Sequence, residues 1–258
     1  MKITILTLFP EMFDGFMTNS IIKRAIAKGV VTVNIVNIRD YTEDKYGRVD
    51  SAPIGGGAGL IMKCQPIIDC LNANKSDKSH VVLLSPRGKT YNQQKSRSFA
   101  EDFEDIILIC GHYEGVDERV NSYVDEQISI GDYILTGGEL GAMVISDSII
   151  RLLDGAISED STIEESFENG LLEYPQYTEP YEYNGEKVPD ILYSGNHQAI
   201  EKWRKKESLR LTRIFRTDLF EKYQLSKADK KLLDEILENN DEPEWLKKAL
   251  EKGHKFIK

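Results

Sequence analysis

Four short apolar runs, Ile3–Leu8, Val31–Val36, Val81–Leu84 and Ile106–Cys110, constrain this chain more than any other feature. The last two are continuous rather than alternating, as strands covered on both faces are. Helical segments separate the runs. Ser20–Lys28 places Ile21, Ile22, Ala25 and Ile26 on one side, and Gly29 closes that helix. Ile145–Leu153 also reads as helix. Strands alternating with helices predict an α/β domain with a largely parallel sheet, ending at about Ser158. The first run follows only Lys2 and stops at Pro10 and Glu11, which suits a strand and not a signal peptide. No apolar run approaches the roughly 20 residues of a membrane helix.

Residues 158–190 have another character, rich in Glu, Tyr, Pro and Asn and without period. Such a segment is a linker or a functional loop. Beyond it the pattern is helical over 197–208 and 209–223. Ser226 with Asp229 forms a capping-box pattern for Lys227–Glu238, whose stripe is Ala228, Leu232, Leu233, Ile236 and Leu237. The expected organisation is therefore a domain over 1–158, a flexible linker over 159–169 and an all-α domain over 170–258.

The net charge of −10 argues against general affinity for nucleic acid, which needs clustered Lys and Arg. The charge is uneven, however. Residues 159–190 hold ten acidic side chains and one basic one, Lys187. The stretch 201–216 carries Lys202, Arg204, Lys205, Lys206, Arg210, Arg213 and Arg216 against Glu201 and Glu207. It is either an RNA-binding patch or a solvated helix face. Trp203 within it is either a stacking platform or core. Cys64, Cys70 and Cys110 show no metal spacing, so reduced thiols of a cytoplasmic protein are expected. The four scattered histidines predict no zinc site.

Three glycine-rich segments stand out: Ile54–Gly59, Cys110–Gly115 and Ile130–Leu140. Glycines just after strands let a ligand approach the backbone closely. None matches a dinucleotide or phosphate-loop fingerprint. Tight turns alone would use the same residues, so both readings stand at this level.

A set of motifs in order goes further. Leu8-Phe9-Pro10-Glu11-Met12-Phe13, Leu84-Ser85-Pro86-x-Gly88 and Gly111-His112-Tyr113-Glu114-Gly115-Val116-Asp117-Glu118-Arg119 come first. Ser129-Ile130-Gly131-Asp132-Tyr133, Gly137-Gly138-Glu139-Leu140 and Leu192-x-Ser194-Gly195-Asn196-His197 follow. Together they resemble the tRNA (guanine-37-N1)-methyltransferase family, collinearly from about residue 1 to residue 225. The resemblance implies a SPOUT-type parallel sheet with a deep trefoil knot over about 81–141, a rare exception to ordinary chain connection. A small all-α C-terminal domain that binds tRNA would follow. It implies S-adenosylmethionine as cofactor, held by Ser85, Pro86, Gly111, Tyr113, Glu114, Gly115, Ile130, Gly131, Asp132, Tyr133, Ile134 and Leu135, with Gly138 nearby. It also implies a homodimer with a shared active site, and dependence on magnesium, for which no ligand set is readable.

The implied reaction methylates guanine N1, which carries a proton at neutral pH. A base must remove that proton while a donor or cation supports O6. Arg151 matches the family arginine at the guanine oxygen, where a rigid guanidinium fork is suitable. The family's aspartate before Ser-Phe is matched by Glu165, and a second aspartate by Glu173. Glutamate keeps the carboxylate but adds a methylene. Lys45-Tyr46-Gly47, Val49-Asp50-Ser51, Pro53-Ile54 and Gly141 also depart from the family pattern. These departures motivate a second reading, a cofactor- or RNA-binding relative whose catalysis is weakened or redirected. A plain nucleotide-binding α/β protein is a third.

Overall fold

The computed structural model describes residues 1–157, 165–238 and 240–253. Of the expected linker, 159–164 falls outside the described residues. The chain divides into two compact units, Met1–Glu159 and Asp160–Lys258.

The first unit runs β1 (Lys2–Thr7), α1 (Asp14–Thr18), α2 (Ser20–Ala27), β2 (Thr32–Asn37), β3 (Asp50–Ser51), β4 (Ile61–Met62), α3 (Cys64–Asn74), β5 (Ser79–Thr90), α4 (Gln93–Asp102), β6 (Asp105–Cys110), β7 (Glu126–Ser129) and α5 (Glu139–Ile150). Five strands pair in the order β2-β1-β6-β5-β7, all parallel. β1 sits between β2 and β6, with Ile3 opposite Val33 on one side and Ile106 on the other. All six residues of β6 are buried, the expected state of a central parallel strand.

Side chains alternate across the sheet and so build two cores. Ile3, Ile5, Ile106, Leu108 and Cys110 pack with Ile22 of α2, Phe99 of α4 and Ile145 and Ile149 of α5. Leu6, Leu8, Ile107 and Ile109 pack on the other face with Ile67, Cys70 and Leu71 of α3. Each such buried side chain contributes about 1.5–3 kcal/mol.

The second unit holds a hairpin of β8 (Glu182–Tyr183) and β9 (Glu186–Lys187), then α6 (His197–Phe215), α7 (Thr217–Phe220), α8 (Lys227–Leu237) and α9 (Glu244–Gly253). The hairpin departs from the all-helical expectation, with Gly185 at φ 89° and Asn184 at φ 52° supplying its turn. The two helices expected over 197–208 and 209–223 are one continuous α6 followed by the short α7. Ser208 and Leu209, at the expected break, are buried mid-helix, and Thr212 Oγ1 donates to Ser208 O at 2.6 Å. The Ser226–Asp229 capping box is present, with both reciprocal bonds formed (3.0 and 3.1 Å). The stripe on α8 is narrower than expected: Leu232 is buried, whereas Ala228 and Leu237 are exposed.

Candidate active site

β5, β6 and β7 end side by side, and each carries a glycine-bearing segment at or near its C-terminal end. In open parallel sheets this is where ligands bind. On β5, Leu84 and Lys89 both pair with Ile128 of β7, so Ser85–Gly88 leaves the ladder as an excursion. Gly88 closes it where a Cβ would collide with the backbone of Gln127 and Ile128. After β6 the chain turns through Gly111, whose C=O accepts Gly138 N–H at 2.8 Å, while His112 bridges Gly137. A Cβ on Gly138 would stand 2.8 Å from Cys110 Cα, so this crossing of two backbones admits only glycine.

The Gly111–Asp117 loop is strapped from outside by β4. Glu114 N–H donates to Leu60 O (3.1 Å), Met62 N–H to Gly115 O (3.0 Å) and Asp117 N–H to Met62 O (2.9 Å). Tyr113 sits in the left-handed region at φ 59°, a strained state held by these neighbours. Burial, then the Asp50 carboxylate, pushes its phenol pKa up, and Arg39 opposes this. At the end of the loop Arg119 forks onto Asp117 (2.9 and 2.7 Å) and holds its pKa down at about 2.

These segments enclose a cavity of about 620 Å³. Twelve of the residues expected to hold a cofactor line it: Ser85, Pro86, Gly111, Tyr113, Glu114, Gly115, Ile130, Gly131, Tyr133, Ile134, Leu135 and Gly138. Asp132 does not. Main-chain groups and apolar side chains dominate the wall, which suits a ligand of nucleoside size.

Three further residues escaped sequence reasoning. Glu139 begins α5, and its carboxyl side chain is in a residue only 2% exposed. Thr7 Oγ1 donates to its Oε1 at 2.9 Å, and His112 Nδ1 lies 3.8 Å from its Oε2. That nitrogen is buried without a hydrogen-bond partner among the described residues. His112 lines the cavity and tilts against Phe9, with ring centroids 4.7 Å apart. Glu139 and His112 each stand beside a glycine inside a quoted motif, which gave neither of them a role. Nothing there places Thr7, 132 positions away, beside them. Cys110, beneath the same crossing, has its thiol pKa pushed up by burial and then by Glu139.

Of the two expected catalytic residues, Arg151 is in the first unit and does not line this cavity, and Glu165 is in the second unit. Arg151 caps the far end of α5, with its N–H donating to Asp147 O at 3.1 Å. At 1.5 Å per residue the helix carries it roughly 20 Å from Gly138. Glu165 lies in the second unit, half-buried, in a turn where Phe167 N–H donates to Leu171 O (2.9 Å) and Glu173 N–H to Ser166 Oγ (2.9 Å). That turn brings Glu165 and Glu173 into one compact segment. Trp203 is 8% exposed and packs with Ile191, Ala199 and Ala249, so it is core.

Residues 1–222 match the family model described as tRNA (Guanine-1)-methyltransferase TrmD. A protein of Malacoplasma penetrans is 56% identical over 223 residues, 86% of this chain and 98% of its own length. One of Clostridium botulinum is 53% identical over 238 residues, 92% of this chain and 98% of its own. A Clostridium perfringens protein is 53% identical over 235 residues, 90% and 99% respectively. All three are named tRNA (guanine-N(1)-)-methyltransferase. With the glycine-lined cavity at the sheet's carboxyl edge, these matches place the chain in the tRNA (guanine-1)-methyltransferase family.

Proposed function

We propose that this protein transfers a methyl group from S-adenosylmethionine to N1 of guanine 37 in tRNA, beside the anticodon. The observation that carries the reading is the convergence of three glycine-bearing segments on one cavity in a chain of this family. The cavity fits the cofactor: its volume lies within the roughly 300–1,000 Å³ of small-ligand sites. Gly137 and Gly138 line it, and a Cβ at either would collide with its neighbours, the His112 ring or Cys110 Cα. When bound, the sulfonium supplies an activated methyl and its own leaving group, so no covalent enzyme intermediate is needed.

The residues' parts follow from the guanine. The Glu165 carboxylate takes the N1 proton, and the Arg151 guanidinium supports the charge developing on O6. The first unit is the methyltransferase domain and the second the tRNA-binding domain, joined by the acidic linker. Ser85, Pro86 and the cavity residues of 111–115 and 130–138 hold the cofactor. Support for a knot lies in the contact of the two later segments, Gly111 with Gly138 and His112 with Gly137, beside the excursion on β5.

The separation of Arg151 from the cavity supports a homodimer in which one protomer's arginine serves its partner's cofactor. Leu140 and Val144, 49% and 50% exposed and one turn apart on α5, offer an apolar stripe for that contact. No described helix is long and apolar enough to cross a membrane, and a tRNA substrate suits a cytoplasmic protein. Among the described residues no group of three or more His, Cys, Asp or Glu could hold a metal ion.

Purified protein incubated with methyl-labelled S-adenosylmethionine and tRNA bearing guanine 37 should place label in N1-methylguanine. A tRNA with adenine at that position should take none. Absence of label from protein that binds cofactor would refute the reading.

A further inference from the structure

A second cavity, of about 330 Å³, lies wholly within the helical unit, between α6, the end of α8 and α9. Trp245 and Leu246 of α9 form one wall. The family match stops at residue 222, so that wall is built from chain beyond the matched span.

The wall is rigid. The Trp245 indole N–H donates to both carboxylate oxygens of Glu235 at 3.1 Å. The Lys202 ammonium sits 4.2 Å from the ring centroid, a cation–π contact. Lys202 does not line the cavity, whereas Trp245 does. The cations divide into two kinds. Lys206, 6% exposed, is satisfied by Asn240 O (2.7 Å) and Glu235 (3.3 Å). Arg210 is paired with Glu207. Arg213 and Asp241, both exposed on the rim, have no ion pair among the described residues.

We propose that this cavity takes one unstacked nucleotide of the tRNA. Its base lies against the Trp245 indole, its phosphate meets Arg213, and N–H groups on the base edge meet Asp241. The proposal rests on the tRNA reading above and names a place on the protein that would hold a nucleotide other than the methylated guanine. Unstacked bases are recognised by flat side chains, and a planar guanidinium matches a phosphate. A cavity of this volume is at the small end of ligand sites, about right for one nucleotide. Arg213, a cation without an ion pair among the described residues, suits the phosphate, and Asp241, which acts electrostatically on Arg210, supplies an acceptor.

Trp203 also lines this cavity, and Trp203→Phe keeps an aromatic ring there while leaving Trp245 the sole strong emitter of the two tryptophans. Titrating that full-length variant with tRNA should quench Trp245 emission in step with binding. Arg213→Ala should weaken tRNA affinity about 5-fold and flatten the salt dependence of log K by about 1. Bound tRNA with undiminished Trp245 emission, or unchanged affinity in Arg213→Ala, overturns the proposal. If tRNA binds but is not methylated, the catalytic reading fails while the quench still decides this one. If no tRNA binds, both fall.

Discussion

Gly138 tolerates no side chain, because its missing Cβ is what lets two backbones cross. Gly138→Ala would put a methyl 2.8 Å from Cys110 Cα and push the Ile130–Leu135 wall away from Gly111. Overpacking of this kind costs about 1–3 kcal/mol. The variant should lose at least 10-fold in cofactor affinity, measured by calorimetry. The buried Glu139 beside it is bound to Thr7 by one short bond. Thr7→Val leaves that acceptor unmet and should lower unfolding free energy by about 1–3 kcal/mol in urea titration. For the chemistry, Glu165→Gln keeps shape and removes basicity. Turnover should fall at least ~100-fold while cofactor affinity holds, and unchanged turnover would assign the base elsewhere.

Asp117 titrates at the same scale. Arg119 lowers its folded pKa to about 2, below the roughly 3.9 of a free aspartate. The carboxylate is therefore favoured in the folded state. Any stability it confers is present in full above pH ~4 and is lost as pH falls through about 2. A carbon-13 titration of the Asp117 carboxyl should show the low midpoint, and Arg119→Leu should return it toward the free value.

Elements were legible where pattern and cap agreed, and not elsewhere. The capping box at Ser226 was readable because its two partners are three residues apart, and it is present. Ser226→Ala should cost about 1 kcal/mol, read as a lower Tm of the helical unit. α5 begins at Glu139, six residues before the expected Ile145. Gly141 lowers helix propensity there, and tertiary packing overrides it. A Cβ on Gly141 would meet Leu84 Cδ1 at 3.2 Å, so the glycine serves the contact between α5 and β5. The β5 excursion was visible only as a motif. That Leu84 and Lys89 share one partner is a fact of strand register, which depends on β7.

At the scale of the molecule, α5 gives the dimer its test. Its N-terminus meets the cavity and its C-terminus carries Arg151, roughly 20 Å away. A sedimentation measurement should therefore find two chains, and Leu140→Glu with Val144→Glu should yield monomers that lose methyl transfer.

By itself the sequence determined the alternation of strand and helix and the glycine-rich segments at 110–115 and 130–140, whose glycines line the cavity while those of 54–59 do not. These rest on local period and on backbone freedom, which a chain carries in its residue order. Asp132 shows the limit: its motif neighbours line the cavity and it does not, because facing is set by a turn's geometry. Only the tertiary structure decided that Thr7, His112 and Glu139 meet under the crossing, that Trp203 is core, and that α9 walls a second cavity. Each depends on contacts between residues far apart in the chain, and those distances exist only after the sheet and the helices have packed.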